Sequence, residues 1–215
     1  MFFEPEENPI FAINACFKEI KGMRVIGGSA KRRRLLTPPG RSIRSTADRV
    51  KEALFNILAA KTPGAQFLDL FAGTGSVGIE ALSRGAARVV FVERSPRALT
   101  IIRENLRRTG FGDRAVVFAQ DALVALNVLG RRGEQFDIIY IDPPYGRGYE
   151  AKVLAAIGSR GLLAPGGVAI SESDCRDNSP EVENLTLFRR ERYGDTVLRF
   201  YRAAEAREEL QKEPE

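Results

Sequence analysis

The sequence predicts an α/β protein whose sheet is mostly parallel and has helices on both faces. Short apolar runs alternate with amphipathic stretches from residue 67 to residue 171, and strands that alternate with helices fold into such sheets. Nearer the carboxyl end, two further strand-like runs flank Gly194-Asp195, a turn pair typical of a hairpin that adds antiparallel strands at one edge. The 215 residues, 44% of them hydrophobic, match the size and composition of one ordinary globular domain.

The predicted strands are apolar or β-branched runs bounded by turn residues. They are Phe67–Phe71, Arg88–Val92, Ala115–Phe118, Phe136–Ile141, Gly167–Ser171, Leu185–Arg190 and Thr196–Tyr201. The predicted helices show apolar spacing of three and four residues or a capping residue at the start. They run from a Thr46 cap to about Ala60, through Ile79 to Ser83, from Ser95 and Pro96 to about Thr109, from Ala122 onward, and over Glu150–Ile157.

Two shorter features complete the predicted fold. Arg24–Gly28 and Arg33–Leu36 predict the two strands of a small basic hairpin ahead of the first helix. Pro165-Gly166 predicts a turn that precedes the fifth strand of the sheet.

The absence of histidine excludes the most function classes. With no histidine in the chain, neither a Ser-His-Asp triad nor a Cys-His pair can form, and His-ligated zinc is excluded. The two cysteines, Cys16 and Cys175, cannot build a thiolate site alone, so no metal is expected. Any enzymatic chemistry must therefore come from carboxylates, tyrosines, backbone groups or a cofactor.

Composition also predicts where the protein works. No apolar run reaches the roughly 18 residues that a spanning helix needs, and the acidic start lacks the basic region of a secretory signal. Two cysteines far apart in sequence are typical of a reduced compartment. We therefore expect a cytoplasmic protein without a membrane partner, and a monomer as the default oligomeric state.

Positive charge is concentrated in one segment near the amino terminus. Residues 23–52 hold nine basic and two acidic residues, a net charge of +7 in a chain whose net charge is +5. Such a segment indicates an arm that binds a polyanion, although a solvated loop would carry the same charges. The candidate RNA contacts are Arg24, Arg32, Arg33, Arg34, Arg44 and Arg49.

Charge and motif positions divide the chain into four predicted parts. Residues 1–22, net −2, are expected to be a dispensable extension or the result of a mis-assigned translation start, although their apolar residues could also dock as a short helix. Residues 23–62 form the basic arm and its helix, and residues 63–202 form the main domain. Residues 203–215, net −3, form an acidic tail.

A glycine-rich turn follows the first strand of the main domain, in the string Asp69-Leu70-Phe71-Ala72-Gly73-Thr74-Gly75-Ser76-Val77-Gly78. Glycines let a ligand approach the backbone, and the following helix offers free N–H groups. Glu93 lies 20 residues after Gly73 at the end of the second strand, where a carboxylate can accept from both hydroxyls of a ribose. Asp121 follows the third strand and either faces the same ligand or caps the helix from Ala122.

The string Asp142-Pro143-Pro144-Tyr145 directly follows the buried fourth strand. Two prolines lock the backbone and remove two N–H donors, so the loop presents acceptors, which are the Asp142 carboxylate and bare carbonyls. An aromatic ring follows at once. Because the amino group of a planar base needs two acceptors and its ring needs a stacking face, the loop predicts such a substrate.

These strings resemble the motifs of a known enzyme class. Asp69–Gly78 resembles motif I of the class I S-adenosylmethionine-dependent methyltransferases, and the loop at Asp142 resembles the Asn/Asp-Pro-Pro-aromatic motif of those that methylate planar amino groups. More narrowly, the chain resembles the RsmD family, the guanine-N2 methyltransferases of 16S ribosomal RNA. The other segments that carry this resemblance are Met23–Gly28, Thr46–Leu58 and the continuation of motif I to Ala86.

The resemblance covers residues 23–201 and implies a Rossmann-like class I methyltransferase fold with a seven-stranded sheet. It implies S-adenosylmethionine as cofactor, with Glu93 on the ribose hydroxyls, Asp121 on the adenine amino group and the Ala122 N–H on the adenine ring. The motif I residues that it assigns to the cofactor are Asp69, Phe71, Gly73, Thr74 and Gly75. It implies 16S rRNA or the small ribosomal subunit as partner. Ser45 departs from the pattern, since the family usually has proline there.

For the loop after the fourth strand, the resemblance implies a catalytic set of Asp142, Pro143, Pro144 and Tyr145. Asp142 and the Pro143 carbonyl would accept the two N–H bonds of the guanine amino group, and Tyr145 would stack on the splayed-out base. The fixed carboxylate would stabilise the positive charge that grows on nitrogen. This chemistry needs neither histidine nor metal.

Three alternatives remain at this point. Gly73, Gly75 and Gly78 also match the dinucleotide-binding spacing, but an NAD-dependent oxidoreductase has no use for a proline acceptor loop or a basic arm. An adenine-N6 or glutamine-N5 methyltransferase would share the proline loop, although the glutamine enzymes typically begin it with asparagine. A catalytically idle RNA-binding factor would not need both motifs intact.

Overall fold

The computed structural model describes residues 23–37, 45–143, 148–178 and 180–204, and for residues 45–47 it describes the backbone alone. The expected extension 1–22 and the tail beyond residue 204 lie outside these ranges, as do Arg44, Pro144 and Tyr145. No helix within the described ranges is long and apolar enough to cross a membrane.

Strands and helices alternate along the described chain in the order that the sequence predicts. The strands are β1 Gln66–Asp69, β2 Arg88–Glu93, β3 Ala115–Ala119, β4 Phe136–Ile141, β5 Leu163–Asp174, β6 Leu185–Tyr193 and β7 Thr196–Ala203. The α-helices are α1 Ser45–Ile57, α2 Ser76–Ser83, α3 Pro96–Thr109, α4 Ala122–Arg131 and α5 Tyr149–Ser159. A single 3-10 turn, Gly112–Arg114, leads into β3.

The strands form one sheet in the order β3-β2-β1-β4-β5-β7-β6. The strands β1 to β5 pair in parallel, whereas β7 runs antiparallel to both β5 and β6. Gly194 and Asp195 join β6 to β7, with Gly194 at a φ of 63°, a left-handed conformation that glycine adopts without strain. The predicted fold class and its antiparallel carboxyl-terminal hairpin are confirmed.

Side chains alternate between the two faces of the sheet and form two separate cores. On one face, Phe67 and Phe91 pack with α1, α2, α3 and the described arm, residues 23–37. We call this the arm face. On the other face, Leu68 and Val90 pack with α4 and α5. Helices therefore cover both faces of the sheet, as predicted.

The start of α3 follows the predicted capping chemistry, whereas the predicted Thr46 cap is wrong, because α1 already begins at Ser45 and Thr46 lies inside the helix. The Ser95 hydroxyl accepts from the Ala98 N–H at 3.4 Å, and Pro96 occupies the first position of α3. α1 ends at Ile57 rather than near Ala60, because the next residues turn tightly and the N–H groups of Lys61 and Thr62 both donate to the Leu58 carbonyl.

The predicted pair of amino-terminal strands is wrong in extent. A single bridge, Arg24 to Arg34, joins the two segments. Beyond it the chain turns away, because the N–H groups of Ile26 and Gly27 donate at 2.7 Å to the two oxygens of Glu80 on α2. These two N–H groups would pair with a neighbouring strand in a β-ladder, but here the buried Glu80 carboxylate accepts from them instead.

The arm is pressed closely against α2. A Cβ atom at Gly28, where φ is 74°, would lie 1.8 Å from the Ser83 carbonyl oxygen, so only glycine fits. The Ser83 hydroxyl donates to the Gly27 carbonyl at 2.6 Å and accepts from the Ala30 N–H at 2.9 Å. These contacts attach the arm to α2 through the backbone groups of the arm.

The charged side chains of Glu80 and Lys51 meet in the interior behind the arm. Glu80 is fully buried and accepts from Arg84 Nε at 2.8 Å. The Lys51 ammonium lies 3.9 Å from Glu80 and donates to the Arg24 carbonyl at 3.0 Å. Burial lowers the pKa of Lys51, while the Glu80 charge opposes that shift. Lys51 therefore belongs to the interior, although it contributes to the positive charge of residues 23–52.

The predicted turn at Pro165-Gly166 is also wrong as a strand boundary. β5 begins at Leu163, and its register with β4 jumps from the pair Phe136–Leu163 to the pair Ile138–Val168. Proline cannot donate to the ladder and Gly166 has a φ of 72°, so the chain forms a bulge inside a longer strand.

We predict that Glu80→Gln lowers the free energy of unfolding by about 3 kcal/mol, because removing one member of a buried ion pair leaves the other charge uncompensated. Urea unfolding followed by circular dichroism measures the loss.

Glu134→Gln is the matched control. Glu134 pairs with Arg88 at 2.7 Å where both side chains are partly exposed, so its loss is expected to lie within about 1 kcal/mol. Equal losses in the two variants would contradict the role of Glu80.

Candidate active site

The sheet order brings the predicted site residues to one edge. β1 lies between β2 and β4, and β3 lies beyond β2. Asp69 ends β1, Glu93 ends β2, and Asp142 directly follows β4. Asp121 follows β3 by two residues. The carboxyl ends of parallel strands are where open α/β sheets bind ligands, so the four carboxylates surround one location.

Glu93 binds the backbone of the glycine turn through its carboxylate. One Glu93 oxygen accepts from the Gly73 N–H at 2.9 Å, and the other accepts from the N–H groups of Arg94 and Ser95 at 2.8 Å. Among the described residues, a Cβ atom at Gly73 would have only the Phe71 carbonyl oxygen near it, at 3.9 Å. The turn is thus held in place by Glu93, and no described side chain fills the space over Gly73.

Asp69 lies beneath the same turn. Its side chain is buried and accepts from the Gly78 N–H at 3.1 Å. Burial raises the pKa of Asp69 to about 7; the Gly78 hydrogen bond opposes the shift, and the Glu93 charge adds to it. A Cβ atom at Gly78 would lie 2.3 Å from the Phe91 ring, so Gly78 serves the packing of α2 on β2. Asp69 and Gly78 therefore shape the turn from inside.

Asp121 has two sets of contacts. One oxygen accepts from the Leu123 N–H at 2.9 Å and caps α4, which is one of the two alternatives that the sequence left open. The other lies 3.5 Å from the Tyr149 hydroxyl and 3.9 Å from the Arg94 guanidinium. Phe71 meets the edge of the Tyr149 ring, with centroids 6.2 Å apart. Ala122 is buried behind this rim.

Sequence reasoning missed Tyr149 and Arg94 as members of this rim. Both positions carried a usable signal, since Arg94 directly follows Glu93 and Tyr149 begins the helix after the proline loop.

Asn105 of α3 ties the glycine turn to the arm. Its amide nitrogen donates to the Thr74 carbonyl at 2.9 Å and to the Leu36 carbonyl at 3.1 Å, and its oxygen accepts from the Leu36 N–H at 2.7 Å. The Thr74 hydroxyl donates to the Met23 sulfur at 3.2 Å. Asn105 is fully buried among apolar residues of α3, and a lone amide in an apolar stripe was the signal that could have identified it.

A tyrosine and a glutamate form a pair just before the proline loop. Asp142 is exposed and Pro143 is buried. Two residues earlier, the Tyr140 hydroxyl donates to Glu172 of β5 in a short contact. Burial raises the pKa of Tyr140 well above its usual value, with further increases from the Glu172 and Asp142 charges. Burial likewise raises the pKa of Glu172, which the Tyr140 hydrogen bond opposes. No motif in the sequence indicated this pair.

The predicted arginines of the arm, and Arg49 of α1, are exposed to solvent. The exposed ones are Arg24, Arg32, Arg33, Arg34 and Arg49. The Arg33 guanidinium donates to the Arg108 carbonyl at the end of α3, at 2.9 Å. Arg32 has a φ of 71°, a left-handed conformation that is uncommon for a residue with a side chain and tends to occur at functional sites. Within the described ranges, no group of three or more His, Cys, Asp or Glu residues could hold a metal ion.

Comparison with known proteins assigns the chain to a family. The family model described as conserved hypothetical protein 95 matches residues 23–202. The YlbH protein of Bacillus subtilis, named as a candidate rRNA methyltransferase, is 39% identical over 181 residues, which cover 84% of this chain and 98% of YlbH. The chain belongs to the RsmD family. The expected resemblance is thereby confirmed.

Two further relatives share the sequence and the fold. Ribosomal RNA small subunit methyltransferase D of Escherichia coli K12 is 34% identical over 180 residues, covering 83% of this chain and 89% of that protein. The solved structure of the Escherichia coli protein YhhF, a candidate methyltransferase, superposes with a TM-score of 0.75 at 34% identity. It covers 85% of this chain and 99% of that one, so the RsmD family fold extends over nearly all the described residues.

We predict that the stability difference between the wild type and Asp69→Asn depends on pH. Because the folded-state pKa of Asp69, about 7, lies above its ordinary value of 3.8, the folded protein binds a proton that the unfolded chain releases over this range. The wild type therefore loses stability from this group as pH rises through that window, by up to ~1.4 kcal/mol per pH unit. The free energy of unfolding of the asparagine variant therefore rises relative to that of the wild type until about pH 7. Urea unfolding between pH 5 and 8 measures this change.

Asp174→Asn is the control for this measurement. A hydrogen bond from Arg176 lowers the pKa of the partly exposed Asp174, so its contribution to stability changes only below its ordinary value of 3.8. Its stability difference from the wild type is therefore expected to be flat between pH 5 and 8. A flat difference for Asp69→Asn as well would show that Asp69 titrates normally.

Proposed function

We propose that this protein transfers a methyl group from S-adenosylmethionine to the exocyclic N2 amino group of a guanine in 16S rRNA of the small ribosomal subunit. The observation that carries the proposal is the exposed Asp142 after β4, next to the glycine turn that follows the neighbouring strand β1, in a member of the RsmD family. The names of the relatives, an rRNA methyltransferase and a small subunit methyltransferase, support an rRNA substrate. We place this activity in the cytoplasm, where ribosomal subunits are assembled.

The residues at the strand ends fit S-adenosylmethionine. The space over Gly73, which no described side chain fills, admits a ligand to the backbone. Glu93 is oriented by three backbone donors, and a carboxylate with about four lone-pair sites retains capacity for a ribose hydroxyl. Asp121 keeps one oxygen on the rim, where it can accept from an adenine amino group, while the Ala122 N–H would face the ring. When bound, the cofactor supplies an electrophilic methyl group on a sulfonium.

The remaining motif I residues support this site in different ways. Asp69 fixes the turn through Gly78, and Thr74 is itself held by Asn105 and Met23. Gly75, with a φ of 77°, makes the turn into α2, and the Phe71 ring packs on Tyr149 at the rim. We assign the turn's backbone, rather than its side chains, to the contact with the methionine part of the cofactor.

Asp142 would act on the acceptor base. The guanine amino nitrogen is a poor nucleophile because its lone pair is delocalised into the ring. Accepting its two N–H bonds, at the Asp142 carboxylate and the Pro143 carbonyl, favours a pyramidal nitrogen with its lone pair directed at the methyl group. Positive charge then grows on nitrogen, and a carboxylate already in place stabilises it without reorganisation.

The rest of the loop and the arm would hold the RNA. Pro144 removes a second backbone donor next to Pro143, and Tyr145 would stack on a base that has left its helix. The exposed arginines Arg24, Arg32, Arg33 and Arg34 of the arm, together with Arg49 of α1 and with Arg44, would bind phosphates. The attachment of the arm through Glu80 and Asn105 fixes that binding surface relative to the cofactor.

The alternative functions find no support among the relatives. Neither an oxidoreductase, an adenine-N6 enzyme nor a glutamine enzyme is among the named family members that the chain resembles over most of its length. The third glycine of the dinucleotide-like spacing, Gly78, allows α2 to pack on β2. Close helix–strand packing is needed in any unit of this kind, so Gly78 does not favour an oxidoreductase.

We predict that Asp142→Ala lowers the rate of methyl transfer by about 100-fold or more, because it removes a preplaced charge at the reacting nitrogen. The affinity for S-adenosylhomocysteine, measured by calorimetric titration, is expected to change by no more than a few-fold. Transfer is measured with radiolabelled cofactor on small ribosomal subunits from cells that lack the protein.

Glu93→Gln is the matched control, since it should weaken cofactor binding before it affects the transfer step. Loss of a charged acceptor is worth roughly 1.5–3 kcal/mol, or about a 10- to 100-fold rise in the dissociation constant. Equal loss of binding and turnover in both variants would contradict the separate roles of the two carboxylates.

A further inference from the structure

The edge strand β6 carries an exposed aromatic residue, Phe188, in a cluster with two arginines. The Phe188 side chain is 49% exposed, and its ring packs edge-on against the buried Phe200 with centroids 6.4 Å apart. The Arg189 guanidinium lies 5.6 Å from the Phe200 ring centre, and that of Arg202 lies 6.0 Å from the Phe188 ring centre. We call Phe188, Arg189 and Arg202 the β6 patch.

The β6 patch opens on the arm face of the sheet. Phe200, on which Phe188 and Arg189 pack, belongs to the core of that face. Tyr140 belongs to the same core, so Asp142, two residues further along, follows the alternation toward the same face. The arm covers the α2 and α3 side of this face, through Glu80 and Asn105. The patch and the arm therefore lie on opposite sides of the proline loop.

The register of the sheet fixes how far the β6 patch lies from the loop. Residues in register across four strands are Tyr140, Ile170, Phe200 and Arg189. Three strand spacings of about 4.8 Å, and two residues of about 3.3 Å along the strand to Asp142, place Arg189 about 15 Å from the loop. A few nucleotides of single-stranded RNA span that distance.

The chemistry of the β6 patch suits nucleic acid. Exposed arginines outnumber acidic residues on the hairpin, where they are Arg189, Arg190, Arg192 and Arg202 against Glu191 and Asp195. Charges alone would be expected on an edge strand, because they prevent pairing with other sheets. An exposed phenylalanine among these charges works against that protection, whereas an exposed aromatic ring with guanidinium groups nearby suits the stacking of bases.

We propose that the β6 patch binds single-stranded RNA that flanks the target guanine, with a base on Phe188 and phosphates on Arg189 and Arg202. This inference rests on the proposed function. RNA would cross the active-site edge from the arm, past Asp142, to β6. The positively charged surfaces on both sides would hold the strand while the target base turns into the proline loop.

The test uses the full chain and a fluorescein-labelled single-stranded 16-nucleotide RNA, with binding followed by fluorescence anisotropy. Phe188→Ala is expected to raise the dissociation constant about 5- to 100-fold, as loss of one base stack does, and Phe188→Tyr to restore it. The double variant Arg189→Ala, Arg202→Ala should reduce the log–log salt slope by about 0.7 per lost phosphate contact. In methyl transfer on small subunits, Phe188→Ala should raise KM and leave kcat unchanged.

Val124→Ala is the matched control, because Val124 is also 49% exposed but lies on α4, on the opposite face of the sheet. It should change neither RNA binding nor KM. Unchanged affinity and KM in Phe188→Ala, with wild-type methyl transfer intact, would overturn the β6 proposal alone. Weakened RNA binding in that variant, with no methyl transfer by the wild type, would support the patch and contradict the proposed function. An effect of Phe188→Ala that appears only after residues 205–215 are removed would assign the patch to the acidic tail and overturn the proposal.

Discussion

Parallel pairing of β4, β1, β2 and β3 is the constraint on which the site depends. Parallel strands need a crossover between them, so every loop that leaves a carboxyl end emerges at the same edge of the sheet. The glycine turn, Glu93, Asp121 and Asp142 come from four separate places in the chain and reach one location for that reason. The antiparallel hairpin then adds β6 as an edge strand, at the end of the sheet opposite β3.

Buried polar groups convert this edge into a rigid site. Glu93 closes the glycine turn from above, Asp69 supports it from below, and Asn105 connects it to the arm. The arm itself depends on Glu80, whose oxygens satisfy backbone donors that no strand pairs with. A fully satisfied buried network of this kind permits one arrangement of its parts. The surface proposed to hold RNA is therefore fixed relative to the turn proposed to hold the cofactor.

The sequence predicted those parts of the fold that depend on local chemistry. Seven strands, the Ser95 cap with Pro96, and the Gly194-Asp195 hairpin are visible in periodicity and turn residues, and the structure has them. The four carboxylates could be placed at one edge because parallel topology follows from strand–helix alternation. Their separate tasks could not, since the burial of Asp69 and the capping contact of Asp121 arise from tertiary neighbours.

The errors and omissions share a physical cause. Ile26 and Gly27 have the pattern of a strand, but their N–H groups bond to Glu80, more than 50 residues away. Pro165-Gly166 has the pattern of a turn, but strand pairing on either side absorbs it as a bulge. Asn105 and the Tyr140–Glu172 pair gave at most the weak signal of a polar residue in an apolar run. Long-range partners of this kind cannot be inferred from one sequence.

The most direct test of the central assignment is mass mapping of modified nucleotides in 16S rRNA. RNA from cells that lack this protein would be compared with RNA from cells that carry the wild type or the Asp142→Ala variant. We predict that one N2-methylguanosine is absent without the protein, returns with the wild type and does not return with Asp142→Ala. An unchanged set of modified nucleotides, or a missing methyl group on a base other than guanine, would contradict the assignment.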